Sequence, residues 1–305
     1  MSASTVLDHA PAGFLAPERV EPKAKLEIDA EEFRQNFNRK SFYIRHNLAN
    51  HPLFTLRRLV ELYQSLPEGH VEYNAGNVSI GQDPHLTPRN GLSPEETIRR
   101  IEECQSWLVI KHVEDAPGYK ELLNECLDQI EPLSEPFAPE MCKREAFIFI
   151  SSPNAVTPYH MDPEYSFLLQ IRGHKTVSMF NGADRSILTE EELEQYLSGG
   201  HRNLIYRSES QEKAWVSELV PGQGLHVPLT TPHWVQNGNE VSVSFSIAFQ
   251  SRQSDRQKVV YTTNAYLREK GFKPVAFGKS AWRDKLKYFS YRAARRTLHT
   301  FGKEV

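Results

Sequence analysis

Thr157-Pro158-Tyr159-His160-Met161-Asp162, together with the run that follows it to Lys175, decides how this chain reads. In an extended strand residues i and i+2 project to the same face, so the His160 imidazole and the Asp162 carboxylate can reach one metal ion. Alone, such a pair is a weak signal, more often chance or a satisfied surface histidine than a metal site. A candidate third ligand is His233, in Pro228-Leu229-Thr230-Thr231-Pro232-His233-Trp234. Two histidines and one carboxylate on one side of a metal form the facial set of non-haem Fe(II) oxygenases, which leaves coordination positions open.

The next stretch adds a second signal. From Phe167 to Met179 the odd positions are Phe167, Leu169, Ile171, Gly173, Lys175, Val177 and Met179, and the even ones are Leu168, Gln170, Arg172, His174, Thr176 and Ser178. Period-2 alternation predicts one strand with a mostly apolar face. Lys175 is the single charge on that face. A buried ammonium needs an anionic partner or gives up its proton. One reading is a lysine that snorkels from a strand end or pairs with a nearby acid; the other is a lysine that meets the carboxylate of a ligand.

Thr157-Pro158-x-His160-x-Asp162, then Phe167, Gln170-Ile171-x-Gly173-x-Lys175 and Phe180, resembles the core of JmjC-type Fe(II)/2-oxoglutarate oxygenases. Within them it resembles the asparaginyl-hydroxylase branch, typified by the enzyme that hydroxylates hypoxia-inducible factor. Agreement from Pro221-Gly222 to Phe245 is weaker, and residues 1–140 and the last fifty carry little of it. The resemblance implies that His160, Asp162 and His233 hold iron. It implies that Thr157 and Lys175 bind the distal carboxylate of 2-oxoglutarate. It also places Ser166 and Ser244 in the cosubstrate region, where the family member compared has asparagines. The implied reaction consumes dioxygen, converts 2-oxoglutarate to succinate and CO2, and hydroxylates a substrate C–H bond.

Composition fits an enzyme of this kind. A chain of 305 residues can bury a substantial core. A formal charge of −3 gives no global case for nucleic acid. No apolar run approaches the ~20 residues of a membrane span, and the start from Met1 to Ala12 lacks the pattern of a signal peptide. Cys104, Cys126 and Cys142 form no CxxC, and their odd number fits a reducing, cytoplasmic setting.

Along the chain, residues 1–25 read as a loose N-terminal arm rich in proline and glycine. Residues 26–140 read as an α/β extension packed on the core, with short strands at 41–44, 71–73 and 106–111. Helices are expected over 56–66, from a Ser93 cap to about 103, and over 119–130, with Pro132 ending the last. Residues 141–251 read as the jelly-roll core, with strands at 146–150, at the His-x-Asp pair, and at 167–180, 215–219, 225–227 and 241–249. A helix capped by Thr189 interrupts them, and Asn237-Gly238 reads as a hairpin turn. Short antiparallel strands with turns between them predict a mainly β fold with flanking helices, a double-stranded β-helix of jelly-roll, cupin type. The resemblance implies the same fold.

Other residues carry weaker signals. His226 reads as a second layer around the metal or, more readily, as an ordinary surface or satisfied histidine, and His174 as solvent-facing. Tyr159 and Met161 flank the ligands and read as packing residues. Tyr43 and Tyr73 are candidates to reach the pocket, as an aromatic does in the family. Ser242, Ser244, Ser246 and Ala248 form a row of small side chains that fits either a widened pocket or a surface. Residues 252–305 end in a basic helical segment: eight lysines and arginines from Lys279 to Val305, against Asp284 and Glu304. It suits packing on the barrel or a homodimer contact better than nucleic acid or a membrane surface. The leading expectation is a 2-oxoglutarate-dependent hydroxylase acting on a protein side chain, a peptide or a small metabolite. A metal-dependent cupin of another reaction type, or a non-catalytic cupin binding module, remains as an alternative.

Overall fold

The structure, a computed structural model, describes residues 25–67 and 69–300, with the side chains of 297–300 left aside. The expected N-terminal arm thus lies almost wholly outside the described residues. The strands are β1 (Leu26–Glu27), β2 (Tyr43–His46), β3 (Val71–Ala75), β4 (Ser106–Ile110), β5 (Cys142–Ser151) and β6 (Val156–His160). They continue as β7 (Tyr165–Arg172), β8 (Lys175–Met179), β9 (Trp215–Leu219), β10 (Gln223–Val227), β11 (His233–Asn237) and β12 (Ser242–Gln250). An eight-stranded sheet runs in the order β1-β2-β10-β7-β12-β5-β4-β3, and a four-stranded sheet in the order β6-β11-β8-β9. All pairings are antiparallel. This is the double-stranded β-helix that the strand pattern predicts.

Among the described residues seven α-helices frame the sheets: α1 (Ala30–Asn36), α2 (Leu56–Ser65), α3 (Pro94–Arg99), α4 (Pro117–Ser134), α5 (Glu190–Leu197), α6 (Arg252–Glu269) and α7 (Ala281–Thr300). The capping boxes form: Ser93 and Glu96 open α3, and Thr189 and Glu192 open α5. Pro132 does not end α4 but sits in its final turn. A proline so near the end removes one backbone hydrogen bond and leaves little helix beyond it to disrupt. Residues 26–140 supply β1 to β4, so both flanks of the large sheet come from that region.

The large sheet has two buried faces. Phe167, Leu169 and Ile171 of β7 and Phe245 and Ile247 of β12 meet Phe33, Leu59, Leu123 and Leu127 of the helices in the main core. The opposite face meets the small sheet, where Leu168, Leu225 and Val227 pack on Val177, Met179, Leu219 and Val235. The single strand expected over 167–180 is therefore two strands in different sheets. Gly173, at φ +69°, makes the corner between them. Phe167, Leu169 and Ile171 face the helices, whereas Lys175, Val177 and Met179 face the interior between the sheets. The alternation runs on unbroken in sequence because each strand buries its odd positions, against different neighbours.

Asn237-Gly238 is likewise a corner and not a hairpin, for β11 pairs with β6 and β8 and not with β12. Neither residue has the positive φ that a two-residue hairpin turn would require. The two corners lock together. The Gly238 N–H donates to the His174 carbonyl, the His174 ring fills the space where a Gly238 side chain would stand, and a Cβ on Gly173 would lie 2.5 Å from the Val241 carbonyl oxygen.

Candidate metal centre

His160 ends β6 and Asp162 lies just beyond it. His233 opens β11, whose register sets it directly across from His160. This brings together donor atoms of His160, Asp162 and His233 that all lie within 4.8 Å of one another. The Asp162 Oδ2 is 3.8 Å from the His160 Nε2 and 3.6 Å from the His233 Nε2. Each imidazole is oriented from behind: the His160 Nδ1–H donates to the Pro158 carbonyl at 2.7 Å, and the His233 Nδ1–H to the Thr231 carbonyl at 2.9 Å. A carbonyl can only accept, so both rings carry their proton on Nδ1 and turn an Nε2 lone pair toward the shared centre. Burial, and then the neighbouring His233, push the His160 pKa down to about 3, which keeps that ring neutral. The nearby imidazoles and Arg202 hold Asp162 below the usual carboxylate range against the opposing effect of burial. Two oriented imidazoles and one ionised carboxylate suit a divalent transition metal.

The cluster forms one wall of an inner cavity. Its other lining includes Thr157, Lys175, Ser166, Ser246 and the ring of Trp107. Lys175 is 5% exposed, and no carboxylate is paired with it among the described residues. Burial alone pushes its ammonium down to about 7. The snorkelling reading does not hold, because the β7–β8 corner turns Lys175 inward.

Ser244 does not line this cavity. It is fully buried, and its hydroxyl donates to the Gln170 Oε1 at 2.6 Å, while the Gln170 amide donates to the Ser242 Oγ. The serine row thus faces the interior between the sheets. Two of its members clasp Gln170, and Ser246 reaches the cavity. His226 stacks on Phe37 in the helix-facing core, accepts from the Asn38 N–H and donates to the Ser166 carbonyl. It is a satisfied, neutral core histidine, remote from the metal cluster's face of the sheet. Tyr159 packs with Phe180 and Ile187, and Met161 with Leu188, Leu193 and Leu197. Tyr43 bonds to Ser217 at the edge of the barrel, and Tyr73 lies under Arg89.

Sequence reasoning missed two residues of this neighbourhood. Trp107, on β4, is 5% exposed and its indole N–H has no hydrogen-bond partner. The ring lines both the inner cavity and an adjoining outer pocket, which also includes Thr157, His160, Glu72, Asn74, Arg202 and Asn203. An aromatic within Ser106-Trp107-Leu108-Val109-Ile110 reads as core, and only its facing betrays it. Arg202, in a loop, carried no signal at all.

No family model matches the chain, and no curated protein matches it by sequence. Solved structures do match. Escherichia coli YcfD aligns with a TM-score of 0.51 and 13% identity, over 88% of this chain and 68% of that one. A second YcfD structure, described as a ribosomal oxygenase in complex with cobalt and 2-oxoglutarate, aligns with a TM-score of 0.49 and 13% identity, over 88% and 67%. At such identity the likeness is one of architecture alone: this chain has the double-stranded β-helix fold that YcfD has.

Proposed function

We propose that this protein is an Fe(II)- and 2-oxoglutarate-dependent dioxygenase that hydroxylates a C–H bond of a protein side chain, a peptide or a small metabolite. The observation that carries this reading is Lys175: a buried amine with no anionic partner among the described residues, in the same cavity as three residues able to hold a metal. A cupin that needed only its metal would gain nothing from such a charge. A dicarboxylate bound end-on to the metal would bring a second carboxylate to it.

In this reading His160, Asp162 and His233 hold the iron. Lys175 receives the distal carboxylate of 2-oxoglutarate, with the Thr157 hydroxyl beside it. The unpartnered Trp107 N–H on the same wall is a further donor for that ligand. Iron with dioxygen and 2-oxoglutarate supplies the oxidising power, and succinate and CO2 leave. The protein's part is to bind, orient and exclude water. Lys175 binds and does not act as a base, since the anion it receives restores its proton. Ser166 and Ser246 leave room along the wall where bulkier side chains would narrow it.

The test is anaerobic reconstitution of the full chain with Fe(II), followed by measurement of 2-oxoglutarate binding and, on admitting air, of succinate release from labelled 2-oxoglutarate. Binding of 2-oxoglutarate only when metal is present supports the reading. Metal binding without any 2-oxoglutarate binding overturns it in favour of a different metal-dependent cupin chemistry.

A further inference from the structure

The two oxygens of Asp162 face different partners. Oδ2 faces the two imidazoles, whereas Oδ1 lies 3.8 Å from the Arg202 Nη1. Arg202 is itself held on several sides. Its Nη2 is 3.8 Å from the Glu72 Oε1, and the other Glu72 oxygen accepts from the Lys111 Nζ at 2.6 Å. Its guanidinium lies over the Trp107 ring, 5.8 Å from the centroid. Its backbone is laced to the ligand strand: the Met161 N–H donates to the Arg202 carbonyl, and the Leu204 N–H to the Tyr159 carbonyl. An isolated bridge joins His160 to Asn203.

A cation so close to a metal-ligand carboxylate repels the metal, so attraction for the ion does not explain its place. What it can do is occupy one carboxylate oxygen. We propose that Arg202 is a positioning residue that confines Asp162 to ligation through one oxygen, and that the Lys111–Glu72 pair aims it. The inference rests on the metal-centre reading above. A carboxylate free of this restraint can swing to chelate the ion through both oxygens. Three protein residues would then fill four of six positions and leave two, where the facial arrangement leaves three. Arg202 thereby keeps open the position that a second incoming ligand needs. Since it also walls the outer pocket, the charge that sets ligand geometry stands where a substrate would arrive.

The experiment loads the full chain with Mn(II), which takes the same nitrogen and oxygen donors. It measures solvent-water proton relaxation per bound ion, a readout of exchangeable waters on the metal, alongside Mn(II) affinity and thermal unfolding. The inference expects Arg202→Met to lower the bound-water count from three toward two, a fall of about one third, without loss of Mn(II) affinity. Arg202→Lys, which keeps the charge without the planar fork, should fall between. Glu72→Gln should move the relaxation in the same direction as Arg202→Met, and it carries the test by itself if that variant does not fold. Wild-type relaxation in variants that bind Mn(II) overturns the proposal. Failure of the unaltered chain to bind Mn(II) overturns the metal-centre reading itself, and this inference with it.

Discussion

Lys175 couples charge, cavity and pH. If its partner is the distal carboxylate of 2-oxoglutarate, Lys175→Met should weaken binding of that acid by about 30-fold or more, the scale for removing one member of a buried charge pair. Mn(II) affinity should hold and the ligand-free fold should be no less stable, because the variant buries no charge. Equal loss of metal and acid binding would instead make Lys175 structural; isothermal titration of both ligands checks this. The pH dependence follows from its ligand-free pKa of about 7, well below the ordinary lysine value of 10.5. Above pH 7 the empty cavity holds neutral lysine, so binding an anion must take up a proton. Affinity should then fall about tenfold per pH unit, and the heat should vary with the ionisation enthalpy of the buffer. Folding has its own sign. Between pH 7 and 10.5 the unfolded chain binds the extra proton, so this group's contribution to stability rises with pH across that window. Spacing, strand parity and the family resemblance together made Lys175, Thr157, His160, Asp162 and His233 legible in the sequence. Trp107 was not, because an aromatic in an apolar run has the same spelling whether it packs or lines a cavity.

Corners between strands decide where those residues point. Gly173 combines a positive φ with a carbonyl 2.5 Å from where a Cβ would stand, so Gly173→Ala meets both strain and a clash with rigid backbone. It should destabilise the fold by roughly 2 kcal/mol or more, measurable by urea denaturation. It should also weaken 2-oxoglutarate binding through displacement of Lys175 two residues on. The period-2 pattern located β7 and β8 but could not show the change of sheet between them, since both strands keep the same parity buried. β11 went unseen for a different reason. In His233-Trp234-Val235-Gln236-Asn237 the buried positions are a histidine, a valine and an asparagine, so polarity hides the alternation. Asn237-Gly238 misled because a hairpin signal states only that the chain turns, and the partner strand is chosen by tertiary packing.

At the scale of the whole molecule, the C-terminal helices dock on the barrel through α5. Arg268 of α6 bonds both oxygens of Glu194, at 2.7 and 3.2 Å, and the Glu194 side chain is only 2% exposed. Arg268→Ala would strand that carboxylate. Breaking a fully buried pair costs about 3–5 kcal/mol; with the arginine 35% exposed, water can take over part of its role, and the expected loss is about 1–3 kcal/mol. Thermal unfolding should register it, with Mn(II) affinity unchanged. The jelly roll as a class was readable from the spacing of strands and turns. The membership of each sheet was not, because pairings such as β2 with β10 join segments from opposite ends of the chain. Those distant pairings bear on how the protein is made. The Asn38 N–H finds its acceptor on His226, 188 residues later, and β2 meets β10 nearby. At about 5–20 residues per second, the early strand waits on the order of 10–40 s at the ribosome before its partner is synthesised. Through that interval β1 already pairs one edge of β2, while the N–H and C=O groups on the other edge, which β10 will take, stay open to any strand that meets them first.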